Sequence, residues 1–306
     1  MQTVLISGGT GMVGKYLTKF LTEKGYKVIV LSRKLAINPL ANSSVSFAAW
    51  DIKKQKMDIA ALQLADYIIH LAGAGVMEKK WTNEYKKEIV SSRVESAKLI
   101  IESLKKYPNK VQAVISASAI GFYGKDAEPP ISFTEDAAAD KSFLGETCRL
   151  WEESINPVTT LNKRLVKLRI GIVLGKNAGA LKEFMAPLKF GMATILGNGK
   201  QMISWIHIED LCRMFLFAIE NNNMNAVYNA VAPQPVNNKT LMLTLAKKMN
   251  PFVYIPFYIP AFILKIMLGG RSIEVLKSAA VSCKKITDLG FSFLYPDINK
   301  AMDDLI

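Results

Sequence analysis

Three glycines at three-residue intervals near the start of the chain, Gly8, Gly11 and Gly14, constrain its fold more than any other feature. They separate a short apolar, β-branched run, Thr3 to Ser7, from Lys15 to Lys24, where Tyr16, Leu17, Phe20 and Leu21 share one helical face. Gly25 supplies a helix stop, and Lys27 to Leu31 reads as a second strand that ends in Ser32-Arg33-Lys34. Strand, glycine turn, helix and strand make the unit that holds the diphosphate of a dinucleotide. Backbone amides reach a phosphate only where no Cβ intervenes, and a helix N-terminus adds about half a positive charge at that point. The spacing is G-x-x-G-x-x-G, not G-x-G-x-x-G, so the context of strand and amphipathic helix carries the reading. Gly8, Thr10, Gly11, Met12, Val13 and Gly14 are the expected diphosphate contacts.

The rest of the chain continues the alternation. Strands are expected at Val45 to Trp50, Tyr67 to Leu71, Val111 to Ser116, Leu165 to Leu174, Ile203 to Ile208 and Val227 to Ala230. Helices are expected over Asp58 to Leu64, Asn83 to Lys106, Phe143 to Ile155 and Asp210 to Glu220, with loops at 35–44 and 125–141. This predicts an α/β fold, a Rossmann-type doubly wound parallel sheet, with a smaller C-terminal substrate-facing domain over the carboxyl ends of the strands. The expected division is a dinucleotide-binding domain over 1–175, joined again by 201–230, and a C-terminal region within 176–306. Leu71, Ala72 and Gly73 follow a strand end and are small enough for a cofactor to lie against the backbone.

Composition narrows the function. Thirty-nine Lys and Arg against 26 Asp and Glu give a net charge of +13 over 306 residues. The lysines are interspersed with acids and amides, with no dense basic tract and no aromatic-basic motif, so no nucleic-acid partner is expected. Three separated cysteines, Cys148, Cys212 and Cys283, and two histidines, His70 and His207, have no metal-ligand spacing, so no metal is expected. Met1 runs straight into a strand without a signal-peptide pattern, and a cytoplasmic protein is the expectation. The most apolar stretch, Phe252 to Leu268, holds Pro256, Pro260 and Lys265 and is short for a spanning helix. It reads as a buried or docking segment, with no membrane partner expected.

Several stretches together resemble the extended short-chain dehydrogenase/reductases: Gly8 to Gly14, LAGA (71–74), SASAIGFYG (116–124), LRIGIVLG (168–175) and WIHIEDL (205–211). The W-T-x-x-x-K-x-x-I-x-x-S-R segment from Trp81 to Arg93 and the F-L-x-x-x-C-x-x-W-E segment from Phe143 to Glu152 narrow this further. So do Q-x-x-S-W-I-H at 201–207 and the closing G-F-x-F-x-Y-P at Gly290 to Pro296. These are similar to an atypical branch, the NAD-dependent epimerase/dehydratase family proteins of cell-division-inhibitor-like type. The resemblance covers nearly the whole chain. It implies an NAD(P)-binding epimerase/dehydratase-like oxidoreductase acting on a small molecule by hydride transfer, and a homodimer packed through sheet-flanking helices.

Cofactor choice is argued from residues. NAD binders place an acid at the end of the second strand for the ribose hydroxyls. Here Ser32 and Arg33 stand there, and Arg33 can pair with a 2′-phosphate, so NADP is expected over NAD; Arg33 can also stack on adenine. Asp51 resembles the family's adenine-contacting acid and is equally placed to close a turn.

Catalysis departs from the resemblance. Ordinary members carry a Tyr and, four residues on, a Lys that lowers the phenol pKa from about 10. None of the ten tyrosines has a Lys at that spacing. The helix that should carry the pair has Cys148 and Glu152, with Trp151 between them. Candidates for the proton chemistry are Ser118, with Ser116 as the alternative, Tyr123 as proton donor and Cys148 as exchangeable thiol or buried apolar residue. Lys86 and Arg93 are candidates for holding an anionic substrate or are solvated surface. The missing pair also allows a non-catalytic NADP-binding regulator or sensor.

Overall fold

The structure, a computed structural model, describes residues 1–33, 44–126, 132–176, 178–250 and 252–306. Lys34 and most of the loop expected at 35–44 lie outside the described residues, as does part of the loop at 125–141. In chain order the first elements are β1 (Thr3–Ser7), α1 (Met12–Glu23), β2 (Lys27–Ser32), β3 (Val45–Asp51), β4 (Lys56–Met57) and α2 (Ile59–Leu64). β5 (Tyr67–His70), α3 (Asn83–Lys106), β6 (Ala113–Ala119), α4 (Phe143–Ile155) and β7 (Arg164–Ile170) follow. Then come β8 (Ile172–Gly175), α5 (Gly179–Leu188), β9 (Met192–Leu196), β10 (Met202–Ile203), β11 (Trp205–His207), α6 (Ile208–Glu220) and β12 (Val227–Ala230). The chain closes with β13 (Val236–Asn237), α7 (Asn238–Met249), β14 (Ile255–Ile259), α8 (Ala261–Leu268), α9 (Ser272–Leu276), α10 (Lys284–Asp288) and α11 (Ile298–Leu305).

Eight strands form the central sheet in the order β12-β7-β6-β5-β1-β2-β3-β4. All neighbours are parallel except β4, which runs against β3. β1 is buried along its whole length, TVLIS, because both faces are covered by helices and both edges are paired. The strand order reverses direction at β1, whose neighbours are β2 on one side and β5 on the other. That is the topological switch point, where a crevice opens at the carboxyl ends of the strands. One core lies on the α1 and α6 face of the sheet, a second under α2 and α3, and a third among α5, α7, β9 and α11.

The elements differ from the sequence reading where a tertiary contact intervenes. The strand expected over Leu165 to Leu174 is two strands, β7 and β8, broken at Gly171. A Cβ there would lie 2.7 Å from the Ser204 carbonyl oxygen and 2.9 Å from the Val231 side chain. The backbone turns at that contact, and β8 leaves the sheet to pair with β11. The strand expected over Ile203 to Ile208 is likewise β10 and β11, because His207 ends it by capping α6. The fifth strand, expected at Val111 to Ser116, starts at Ala113 and runs to Ala119, since Ser116 to Ala119 pair with Lys167 to Ile170. The segment Phe252 to Leu268 resolves into β14, paired with β9, and α8.

Candidate functional site

The glycine turn after β1 sits at the switch point, and two of its glycines are there for steric reasons. Gly8 has φ +72°, and a Cβ on it would lie 2.8 Å from the carbonyl carbon and oxygen of Leu71. A Cβ on Gly14 would lie 2.5 Å from the Gly8 oxygen and 2.7 Å from the Gly9 carbonyl carbon. The Gly11 amide donates to the Gly8 carbonyl at 3.0 Å, which tightens the turn and aims α1 at the crevice. Gly11 stands at the N-cap of α1 and offers no side-chain cap, so the first amides and positive dipole end of the helix are left open. Thr10 and Gly11 are exposed at the tip. Side chains would fill this cradle, and a diphosphate fits it.

Arg33 stands exposed just past β2, with no charged partner for its guanidinium among the described residues. Ser32, the last residue of β2, is half-buried. Asp51, at the end of β3, is committed on one oxygen: Oδ1 accepts from the amides of Lys53 at 3.0 Å and Lys54 at 3.1 Å. The turn role named for it in the sequence is therefore filled by Oδ1.

The loop after β5 is held from α3. Leu71 is tied to β1 by its amide, which donates to the Ser7 carbonyl at 3.1 Å. Ala72 is buried and Gly73 exposed. The Ala74 amide donates to Ser92 Oγ at 2.9 Å, and the Tyr85 hydroxyl donates to the Gly75 carbonyl at 2.5 Å. Arg93 donates through Nη1 to the carbonyls of Ala74 at 3.1 Å and Ile89 at 2.8 Å. A Cβ on Gly73 would be 3.0 Å from the Arg93 guanidinium carbon, a tight contact that a side chain there would relieve only by shifting that cation. Arg93 is not solvated surface: it is 9% exposed, stacks 4.8 Å from the Trp151 ring, and has no carboxylate partner among the described residues. Lys86, two turns earlier on α3, lies over the rings of Phe143 at 5.2 Å and Trp81 at 5.9 Å.

α4 brings Cys148 and Glu152 into the place where the paired Tyr and Lys were sought. Cys148 is buried against the turn after β6, with a Cβ on Gly121 falling 3.6 Å from its sulfur. Burial pushes its thiol up to about 12, against the pull of Arg93 and Lys277. A thiol so far from ionisation is not a proton exchanger near neutrality, which favours the buried apolar role. Ser118 is also buried, and its Oγ donates to Glu152 Oε1 at 2.7 Å. Glu152 in turn pairs with Arg169 of β7, at 2.8 Å from Nε and 3.0 Å from Nη2. The alternative, Ser116, faces His70 at 3.2 Å from Nδ1 and belongs to the core.

Tyr123 is placed differently from what a proton donor requires. It has no exposed surface, and its hydroxyl donates to Asn229 Oδ1 at 2.6 Å and accepts from Arg169 Nη1 at 2.9 Å. Burial, more than its charged neighbours, pushes its pKa up to about 12. Asn229 comes from β12 and Arg169 from β7. Ser118, Glu152, Arg169, Tyr123 and Asn229 thus form one enclosed chain of polar contacts that ties β6, α4, β7 and β12 together. The structure joins Ser118 to Tyr123 through this chain and leaves the Tyr123 hydroxyl enclosed.

Sequence reasoning missed three partners. Arg169 was unremarked inside a strand, although a charge in an apolar run, LVKLRIGIVLG, is the signal that a buried acid awaits it. His207 has a partner distant in sequence: Nε2 lies 3.3 Å from Asp304 Oδ2, and Nδ1 accepts from the Glu209 amide at 3.2 Å. Asp210 is fully buried and accepts from the Leu294 and Tyr295 amides, each at 2.9 Å, so it clasps the closing G-F-x-F-x-Y-P segment onto α6. Among the described residues no group of three metal-ligating side chains is present, and no helix is long and apolar enough to cross a membrane.

Comparison with known proteins agrees with this geometry. The model of the NAD dependent epimerase/dehydratase family matches residues 4–231, and that of a domain of unknown function, DUF1731, matches 259–305. The chain is 34% identical over 306 residues to the epimerase family protein YfhF of Bacillus subtilis, covering 100% of this chain and 98% of that one. It is 33% identical over 309 residues to the epimerase family protein SAR0825 of Staphylococcus aureus, covering 100% and 99%. Among solved structures it superposes on the human epimerase family protein SDR39U1 with NADPH at a TM-score of 0.85, with 26% identity and 99% of each chain covered. A UDP-glucuronic acid 4-epimerase from Bacillus cereus, in complex with UDP-glucuronic acid and NAD, shares the fold at a TM-score of 0.80 and 18% identity, over 99% of this chain and 98% of that one. Residues 4–231, from the glycine cradle through β12, and the relatives that span the whole chain, place this protein in the NAD dependent epimerase/dehydratase family.

Proposed function

We propose that the chain binds NADP and passes hydride between its nicotinamide and a small anionic molecule. The observation that carries this is the cradle at the switch point, where a Cβ on Gly8 or Gly14 would meet backbone and the first turn of α1 is left uncapped. Gly8 to Gly14 would hold the diphosphate, Arg33 the 2′-phosphate, Asp51 Oδ2 the adenine, and Leu71 to Gly73 the face of the nicotinamide half. When bound, the dinucleotide supplies the hydride donor or acceptor. The solved relative with NADPH supports NADP, and Arg33, where an acid would repel a 2′-phosphate, supports it independently.

The protein's own residues position the reactants. Tyr85, Ser92 and Arg93 fix the loop at 73–75 that the cofactor lies against. Arg93 adds a buried cation whose charge no carboxylate among the described residues offsets, and Lys86 adds a second over Trp81 and Phe143. Two such cations on one face of α3 favour an anionic substrate. Ser118 keeps its proton on Oγ, shared with Glu152, and contributes no general base. A second reading, an NADP-binding sensor without turnover, is favoured by that closed Ser118–Glu152–Arg169 chain and by the high pKa of Cys148.

Titration with NADPH and NADH separates the parts of this proposal. NADPH is expected to bind at least about tenfold more tightly, and Arg33→Ala to remove the difference, as loss of a charge-assisted contact of about 1.5–3 kcal/mol requires. Equal affinities in the unaltered chain refute the role of Arg33. With NADPH bound, consumption followed at 340 nm across carbonyl acids and sugar nucleotides distinguishes the two readings: turnover that falls in Arg93→Met supports the enzyme, and none with any compound supports the sensor.

A further inference from the structure

We infer that β14 and α8 form a docking surface for an anionic lipid bilayer, against the sequence expectation of no membrane partner. Seventeen large apolar side chains stand exposed among the described residues, and twelve of them fall within 190–192 and 252–273. Phe252 is 96% exposed, and Phe190, Phe262 and Ile266 are each more than half exposed. They are contiguous in space. β14 pairs with β9 from Ile255 beside Met192 to Ile259 beside Leu196, and Pro260 then caps α8 directly. Four successive residues of β14, Ile255 to Tyr258, are exposed, so both faces of this strand are open. α8 reads AFILKIML and buries only Leu264. An apolar helix of this kind is ordinarily packed in a core or placed in lipid, and a patch this size marks a surface that meets something apolar.

Charge selects the occupant. Residues 189–192 and 252–273, which carry the patch, hold three cations, Lys189, Lys265 and Arg271, and no acid. Lys189 adjoins Phe190, Lys265 sits in the middle of α8, and both are exposed. Two copies facing each other through this patch would bring like charges together, whereas an anionic headgroup layer complements them. Eight residues of helix lie along an interface and do not cross it. The occupant is a bilayer surface, with the aromatic and aliphatic side chains in the acyl boundary and the lysines among the headgroups.

Co-sedimentation of the full chain with vesicles tests this, using pure phosphatidylcholine and phosphatidylcholine mixed with phosphatidylglycerol. The chain is expected to pellet with the mixed vesicles and to be released by salt. Lys265→Gln is expected to weaken binding about fivefold, the contribution of one lysine near an anionic surface. Phe262→Ser with Ile266→Ser is expected to abolish pelleting while NADPH titration stays unchanged, which shows that the fold survives. Equal recovery on both vesicle types, or none on either, overturns the proposal. So does light scattering that finds a dimer in solution which this double variant dissociates, since the patch is then covered by a second copy.

Discussion

The enclosed pair of Glu152 and Arg169 makes a quantitative test of what holds β6, α4, β7 and β12 together. The two residues are 6% and 4% exposed, and the Glu152 carboxylate accepts three hydrogen bonds, one from Ser118 and two from Arg169. Glu152→Ala removes all three and strands the guanidinium with the Tyr123 hydroxyl and the Glu135 carbonyl as its remaining partners. Breaking a buried pair from one side leaves an unpaired charge out of water, at a cost of about 3–5 kcal/mol. Glu152→Gln keeps one acceptor and is expected to lose about 2 kcal/mol. Replacing both partners, Glu152→Met with Arg169→Met, removes the stranded charge as well as the pair. Its loss is expected to be smaller than the sum of the two single losses by about 1–3 kcal/mol. Urea unfolding of Glu152→Ala, Glu152→Gln, the double Met variant and its two single Met variants, followed by tryptophan fluorescence and circular dichroism with unchanged m-values, measures each term. A loss below about 1 kcal/mol for Glu152→Ala, the value of an exposed pair, refutes the reasoning, and so does strict additivity in the double variant.

Three further outcomes follow from the same geometry. Gly14→Ala places a Cβ against the backbone of Gly8 and Gly9, and it is expected to lower stability by about 1–3 kcal/mol and weaken NADPH binding in the same titration. His70 is buried between Ser96 and Ser116, and burial, aided by Arg93, lowers its pKa from 6.5 to about 3. Its contribution is therefore present above pH 6.5 and lost as pH falls toward 3, with a slope of up to about 1.4 kcal/mol per pH unit; His70→Gln is expected to flatten unfolding stability between pH 6.5 and about 5. Burial raises the thiols of Cys148 and Cys212 to about 12 and also raises that of Cys283, so a disulfide reagent near pH 8 is expected to label no cysteine rapidly in the folded protein and all three in urea. One fast equivalent removed by Cys148→Ala would return that residue to the proton chemistry.

What could be read in the chain beforehand was what depends on local sterics. The glycine cradle, the amphipathic α1 and the capped α4 follow from residues within a few positions of one another, and their placement follows from strand and helix alternation. The break at Gly171 did not, because only the approach of Ser204 requires it. Tyr123 was assigned to the chemistry for its position beside Ser118, but Asn229 and Arg169 arrive from β12 and β7 and enclose its hydroxyl. His207 has Glu209 and Asp210 close by in sequence, yet its Nε2 lies against Asp304 near the far end. The apolar run Phe252 to Leu268 left buried and docking roles open, and the structure exposes it.

The placement of β12 has a consequence for synthesis. β7, RLVKLRI, pairs with β6 on one side and receives β12 on the other only after α5, α6 and four short strands have been made. A ribosome-bound chain that has not reached Val227 presents β7 as an open parallel edge, with the Tyr123 hydroxyl held by Arg169 but not yet by Asn229. Open apolar edges recruit other strands. The last strand of the sheet, four residues long, replaces the seven-residue edge of β7 with a shorter one; until it emerges, the nascent chain carries the longer edge, the one more open to aggregation.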